Sequence, residues 1–219
     1  HNGLNAAQLE LARLALEQRN ARPRDNIIRL GYFSGTRTHQ ADFRIVYPAL
    51  MDLLREQRNV RLMIVGDLDI GEFPGLVPFL DQMEILPLRH WRELPAVMAG
   101  VDINLIPLEL TPFNEGKSNL KYYEAGLLQV PSIASPTRIN RDNIMHGHNG
   151  LLAQTPEEWH NALKDLVSDA ERRQRMGRHA LQHVLRNYVP RAIAAEAVDV
   201  YRQILHSHGR TRGAIRQAG

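Results

Sequence analysis

Short apolar segments alternate with helical patterns along most of this 219-residue chain. Six apolar segments predict strands, at 26–33, 60–65, 83–86, 102–106, 130–134 and 150–153. Residues 42–58 carry apolar side chains at helical spacing, as at Phe43, Val46 and Leu50. Strands that alternate with helices form a parallel sheet with helices on both of its faces. The sequence therefore predicts an α/β fold with a parallel sheet of about six strands.

The remaining segments predict how the chain is divided. Residues 6–17 are typical of an amphipathic helix, and the polar residues 19–25, with Pro23, indicate a linker. We therefore expect a linker and N-terminal helix over 1–25, the sheet domain over 26–189, and a C-terminal helix and tail over 190–219. Pro48 predicts either a kink in the helix at 42–58 or a later start of that helix.

Composition excludes several classes of protein. The chain has no cysteine, which rules out disulfides, thiol catalysis and thiolate metal sites. No segment is long and apolar enough to span a membrane, and no secretory signal opens the chain. The net charge is only +3, and basic residues are not interleaved with aromatic ones, so we expect no nucleic-acid partner.

Polar loops follow the predicted strands, and ligands of parallel sheets bind at the carboxyl ends of the strands. The segment 113–126 combines one such loop with the start of a helix near Ser118. In that helix Lys117, Lys121 and Glu124 would share one face. Two cations beside a helix N-terminus suit a diphosphate, and the carboxylate suits a sugar hydroxyl. The alternative is an exposed Lys–Glu pair worth only a few tenths of a kcal/mol.

Six segments of the chain form an ordered set of motifs: Asn2-Gly3, 31–38, 102–107, 124–131, 149–152 and 156–177. In this order they resemble parts of the C-terminal half of the retaining GT-B glycosyltransferases of family 4. Those parts are the end of the interdomain linker, the glycine-containing phosphate loop, the "aDv.v.Ps" strand, the "EAma.G.PvV" and "nGllv" segments, and the closing helices. Their order and spacing extend over nearly the whole chain. The resemblance implies a Rossmann-like domain that binds the nucleotide of a nucleotide-sugar donor.

One motif departs from the family pattern. Where the family has the first of two glutamates, this chain has Gly116, and Glu115 is one residue out of register. The segment is closer to a subgroup with the pattern "KS..K..E". Glu124 matches the second glutamate, which in the family binds the ribose hydroxyls of the nucleotide.

The resemblance implies a role for each candidate site residue. The diphosphate is expected between the loop at 34–38 and the helix start at 117–121. The residues assigned to it are Gly35, Thr36, Arg37, Lys117, Ser118 and Lys121. We expect Glu124 at the ribose, Glu115 and Asn119 at the sugar, and Leu88 and Trp91 at the base. For Trp91, packing against its own short helix is an equal alternative. No metal and no cofactor are expected, because charged groups and backbone N–H donors can stabilise the departing diphosphate.

The histidines give weaker indications. His39 lies near Arg37 and Asp42 in the sequence, where it could contact the donor or the acceptor. His146 and His148 flank Gly147, but a metal site there lacks a third ligand, so an exposed loop is favoured.

The resemblance also implies a partner domain. The acceptor site and the catalytic groups of such enzymes belong to an N-terminal domain, which this chain would lack. We expect a cytoplasmic enzyme, with the inner face of the membrane as a candidate location, whose acceptor is a polysaccharide, a lipopolysaccharide or another glycan or lipid-linked molecule. The isolated chain should fold and be inactive in transfer, and its exposed helices offer a surface for a dimer. The alternatives are a non-catalytic nucleotide- or sugar-binding module and another nucleotide-sugar enzyme, such as an epimerase.

Overall fold

A computed structural model describes residues 4–23, 25–35, 39–194 and 198 of the chain. Within these residues six strands form one parallel sheet, in the order β3-β2-β1-β4-β5-β6. The strands are β1 (Ile28–Ser34), β2 (Val60–Gly66), β3 (Met83–Leu86), β4 (Ile103–Ile106), β5 (Ser132–Ala134) and β6 (Leu151–Leu152). The predicted six-stranded Rossmann-like sheet is confirmed. Its order reverses between β1 and β4, so a crevice opens at the carboxyl ends of these two strands.

Helices and short 3₁₀ segments connect the strands. The helices are α1 (Ala6–Ala21), α2 (Gln40–Glu56), α3 (Leu94–Met98), α4 (Pro112–Glu115), α5 (Leu120–Leu127), α6 (Arg138–Asn143), α7 (Pro156–Ser168) and α8 (Ala170–Asn187). Two 3₁₀ segments, Ile70–Glu72 and Pro74–Gln82, lie between β2 and β3. No helix in the described part of the chain is both long and apolar enough to cross a bilayer.

Three helix boundaries differ from the prediction. Helix α2 begins well before Pro48 and continues through it, so a later start is wrong. Helix α5 begins at Leu120 rather than near Ser118, with Asn119 as its N-cap, so Lys117 precedes the helix. Helix α1 continues to Ala21, into the segment that we predicted to be a linker.

The extension of α1 has a visible cause at the amino end of the sheet. The Arg19 guanidinium donates to the carbonyl oxygens of Ala99 and Val101, and that of Arg22 donates to Gly100 at 2.7 Å. These contacts hold the last turn of α1 against the connection between α3 and β4. The polar residues that suggested a linker are therefore side chains that bind backbone.

Alternation along the strands divides the core between the two faces of the sheet. Tyr32 packs with residues of α2 and α7, including the fully buried Trp159. Its neighbour Phe33 belongs to the other cluster, with residues of α1, α3, α5 and α8. Since successive side chains of a strand point to opposite faces, helices cover both faces, and only the edges and the strand ends remain for ligands.

Candidate functional site

Two lysines lie at the carboxyl edge of the sheet. Lys117 lies between α4 and α5, with its Nζ atom 5.0 Å from the ring centroid of Phe113. The Nζ atom of Lys121 lies 5.6 Å from the ring centroid of Tyr32, at the end of β1. Neither ammonium group donates a hydrogen bond to a described residue. Their described contacts are with these two aromatic rings and, for Lys117, with the carboxylate of Asp42. Donors without acceptors at a strand-end crevice are suited to an anionic ligand.

Lys121 and Glu124 share a poorly solvated part of α5. Burial has the largest effect on Lys121: together with the charge of Lys117 it outweighs the opposing charges of Asp42 and Glu124 and lowers the pKa of Lys121 to about 8. Burial raises the pKa of Glu124 to about 7, although Lys121 acts to lower it. A cation and an anion that both titrate near neutral pH mark a site where a ligand can replace the missing solvation.

The sequence argument did not assign Asp42 to the site, yet the structure places it beside Lys117. The Asp42 residue is only 2% exposed, at the start of α2. Its Oδ1 atom accepts the N–H of Glu109 at 2.8 Å and the Nδ2–H of Asn114 at 2.9 Å. Its Oδ2 atom lies 2.8 Å from Nδ1 of His39 and 3.6 Å from Nζ of Lys117. The spacing His-x-x-Asp at a helix start was the one local signal that could have revealed this pair.

These contacts determine the charge of Asp42. Burial alone would raise its pKa, but the hydrogen bond with His39, the N–H of Glu109 and the charge of Lys117 outweigh that effect and lower it. Asp42 is therefore an ionised carboxylate at neutral pH, buried between the loops that follow β1 and β4.

The start of α5 forms one side of an open pocket. Asn119 is only 5% exposed, and its Nδ2 atom has no hydrogen-bond acceptor among the described residues. The pocket is lined by Gly116, Lys117, Ser118, Asn119, Tyr123, Ile139 and Tyr188. The structure thus brings together Lys117, Ser118 and Asn119, which the sequence assigned to the diphosphate and the sugar.

Glu115 has a different environment. One of its carboxylate oxygens accepts the backbone N–H of Arg138, the first residue of α6, at 2.7 Å. This hydrogen bond satisfies a free N–H group of the helix start. One of the two carboxylate oxygens of Glu115 is therefore occupied by a hydrogen bond within the protein.

The first predicted phosphate loop is only partly described. Gly35 follows β1 and has open space around it, since a side-chain carbon added there would meet no atom within 4 Å. Thr36 and Arg37 lie outside the described residues. Their assignment to the diphosphate stays a prediction.

Trp91 and Glu124 border one small, mainly apolar pocket. Its other lining residues come from the N-terminal segment and from α3 and α5: Leu4, Gln8, Ala12, Leu94, Pro95, Met98 and Leu127. Trp91 is 36% exposed, and the Arg92 guanidinium carbon lies 4.9 Å from its ring centroid. Leu88, assigned to the base with Trp91, is 62% exposed and does not line this pocket. The structure thus brings together the residues assigned to the ribose and the base, apart from Leu88.

The other histidines form no metal site in the described part of the chain. The rings of His148 and His179 stack with centroids 3.9 Å apart, and Nδ1 of His146 accepts the N–H of Leu152. No group of three or more His, Asp or Glu side chains that could hold a metal ion occurs among the described residues.

Comparison with known proteins places these features in a family. Residues 27–169 match the family model described as glycosyl transferases group 1. The chain is 33% identical over 108 residues to D-inositol 3-phosphate glycosyltransferase of Stackebrandtia nassauensis, which covers 48% of this chain and 23% of that protein. It is 22% identical over 170 residues to spore coat protein SA of Bacillus subtilis, which covers 72% of this chain and 44% of that protein. The chain therefore spans less than half the length of these curated relatives.

Solved structures share the fold. Anabaena Alr3699/HepE in complex with UDP superposes with a TM-score of 0.71 at 18% identity, over 93% of this chain and 56% of that chain. The C-terminal domain of the group 1 glycosyl transferase LpcC from Francisella tularensis superposes with a TM-score of 0.58 at 17% identity, over 80% of this chain and 92% of that chain.

Proposed function

Because the chain belongs to the group 1 glycosyl transferases, we propose that it binds the nucleoside diphosphate of a nucleotide-sugar donor at the carboxyl edge of its sheet. The observation that carries this proposal is the pair Lys117 and Lys121, whose ammonium groups lie at the carboxyl edge of the sheet without hydrogen-bond acceptors among the described residues. A diphosphate would supply the missing acceptors and compensate the charge that burial disfavours on Lys121. The UDP complex of the similar Anabaena protein supports this ligand class.

Each candidate residue keeps a stated role in this proposal. Lys117, Ser118 and Lys121 bind the diphosphate together with Gly35, Thr36 and Arg37. Glu124 binds the ribose, because one carboxylate can accept both hydroxyl donors of a cis-diol. Asn119 and the free oxygen of Glu115 bind the sugar. Trp91 contacts the base from the pocket that it shares with Glu124, and Leu88 contacts it from outside that pocket.

The full-length protein would transfer the sugar to a glycan or lipid-linked acceptor of a surface polysaccharide or lipopolysaccharide. In this proposal the lysines stabilise the negative charge that develops on the departing diphosphate, without a metal. The acceptor site and the catalytic groups belong to a second domain, which is consistent with the partial coverage of the relatives. Action in the cytoplasm at the inner face of the membrane belongs to the same proposal.

Calorimetric titration of the chain with UDP, GDP, TDP and CDP tests the binding step. We expect one of them to bind, and Lys117→Ala and Lys121→Ala each to weaken it by about tenfold or more, the scale of a charge-assisted hydrogen bond. Lys164→Ala, at an exposed position of α7, is the matched control and should bind like the wild type. Binding of none of the four nucleotides, or unchanged affinity in both lysine variants, would refute the proposal.

A further inference from the structure

Asp42 joins the two loops at the crevice of the sheet. It stands at the start of α2, after β1, whereas Glu109, Asn114 and Lys117 all follow β4. A buried carboxylate with partners from both loops fixes their separation. Because ionised carboxylates are rarely buried unless they are paired and hydrogen-bonded, its position requires these partners.

The two oxygen atoms of Asp42 have different partners. Oδ1 accepts from two uncharged donors, the N–H of Glu109 and the amide of Asn114, which is enough to hold the loop. Oδ2 meets the two partners that can carry positive charge, His39 at 2.8 Å and Lys117 at 3.6 Å. Oδ1 therefore holds the backbone of Glu109 and the side chain of Asn114 in place. Oδ2 orients the His39 ring and the Lys117 ammonium group.

Both oriented groups keep hydrogen-bonding capacity. The contact to Oδ2 uses Nδ1 of His39, and Nε2 has no partner among the described residues. Lys117 is 26% exposed at its side chain and has only the carboxylate and the Phe113 ring as described neighbours of its Nζ atom. A carboxylate that accepts the Nδ1–H of a histidine fixes the orientation of the ring, so Nε2 has a fixed direction and donates to an anion when it also carries a proton.

We propose that Asp42 is a positioning residue of the donor site, which holds the doubly protonated His39 ring and the Lys117 ammonium side by side. His39 donates Nδ1–H to Oδ2 of Asp42, and its Nε2–H and the Lys117 ammonium donate to the same diphosphate. This inference rests on the proposed function. It adds His39 to the residues that contact the ligand. Asp42 affects binding through His39 and Lys117. Preorganised donors bind an anion more tightly because less side-chain freedom is lost on binding.

A double-mutant cycle separates positioning from simple loop packing. Titration with UDP, or with GDP, TDP or CDP if the wild type binds that nucleotide better, would be carried out on Asp42→Asn, Lys117→Ala and the double variant. We expect Asp42→Asn to weaken binding by about tenfold in the wild type, and by about fivefold or less in the Lys117→Ala background, where only the effect through His39 remains. Asp52→Asn, on the exposed side of the same helix, is the control.

A second variant protects the test against loss of fold. His39→Gln leaves both hydrogen bonds of Asp42 Oδ1 intact. It should weaken UDP binding by about fivefold with an unchanged melting temperature. UDP affinity unchanged in His39→Gln, or an equal cost of Asp42→Asn in both backgrounds, would overturn the positioning role while nucleotide binding stands. If the wild type binds none of the four nucleotides, the proposed function and this inference fall together.

Discussion

The two ends of the sheet hold their cations in opposite ways. At the amino end, Arg19, Arg22 and Arg173 all donate to backbone carbonyl oxygens, and Asp102 lies 3.7 Å from both Arg19 and Arg22. At the carboxyl end, the ammonium groups of Lys117 and Lys121 donate to no carbonyl of the described residues. The protein itself satisfies the first group of cations, and the second group is available to a ligand.

Side-chain chemistry explains the division. A guanidinium group has several donors in a fixed plane, so one arginine can bind two carbonyl oxygens at the end of a helix. Burial lowers the pKa of Arg19, as do Arg22 and Arg173, and Asp102 only partly offsets them. A lysine ammonium is a compact charge on a flexible stem, which suits a ligand that arrives and leaves. Substitutions at the amino end should therefore affect stability, and those at the carboxyl end should affect binding.

The largest effect is expected for Arg19→Ala. This change leaves the carbonyl oxygens of Ala99 and Val101 without their donor, and it leaves Asp102 with one cation fewer. We expect the free energy of unfolding to fall by about 3 kcal/mol, measured by urea denaturation, with no change in nucleotide affinity.

The matched control is Arg13→Ala on the same helix. The Arg13 side chain is 53% exposed and pairs, among the described residues, only with Glu10 and Glu17, so its removal should leave the unfolding transition where it is. Equal losses of unfolding free energy in both variants would mean that the hydrogen bonds of Arg19 do not explain the difference between the two ends of the sheet.

The sequence predicts the strands of the sheet more fully than the contacts at its two ends. The strands follow from local apolar segments, and even the partly buried edge strand β3 begins and ends where the pattern predicts. The fifth strand is shorter than predicted because Pro131, inside the apolar segment, cannot donate to a ladder. Local patterns are enough where burial alone decides the structure.

The site depends on contacts that local patterns do not contain. Asp42 binds Glu109 and Asn114, which are 67 and 72 residues away in the chain. The spacing predicted that Lys117 and Lys121 lie close together, although Lys117 precedes the helix on which that prediction was based, and their role at a diphosphate stays a prediction. The hydrogen bonds of Arg19 and Arg22 to backbone carbonyls were equally hidden, since a polar segment with a proline is typical of a linker.

Glu124→Gln should have the next largest effect, on nucleotide binding. The variant removes a charged acceptor from the expected ribose position, so nucleoside diphosphate affinity should fall by roughly 1–3 kcal/mol in calorimetry. Inorganic diphosphate, which has no ribose, should be affected much less. An equal loss for both ligands would place Glu124 at the phosphates or in the fold.

The same variant should change the pH dependence of stability. The pKa of Glu124 is about 7 in the native protein, against 4.5 as the reference value. The native state thus keeps a proton that the unfolded state loses in this interval, and stability from this group falls as pH rises from about 4.5 to about 7. Glu124→Gln should remove that decrease in urea denaturation series without ligand. A decrease that persists would assign it to another group.

The smallest effect is expected at Trp91, on the rim of the pocket that it shares with Glu124. If a base stacks there, the nucleotide covers a ring that is now 36% exposed and changes its fluorescence. The second tryptophan, Trp159, is a fully buried residue of α7 in the core cluster with α2, and it should not respond. Trp91→Phe should therefore abolish the fluorescence change, while the retained aromatic face limits the loss of affinity to about 1 kcal/mol or less. A fluorescence change that survives in Trp91→Phe would show that the signal comes from Trp159, and the base would then bind away from this pocket.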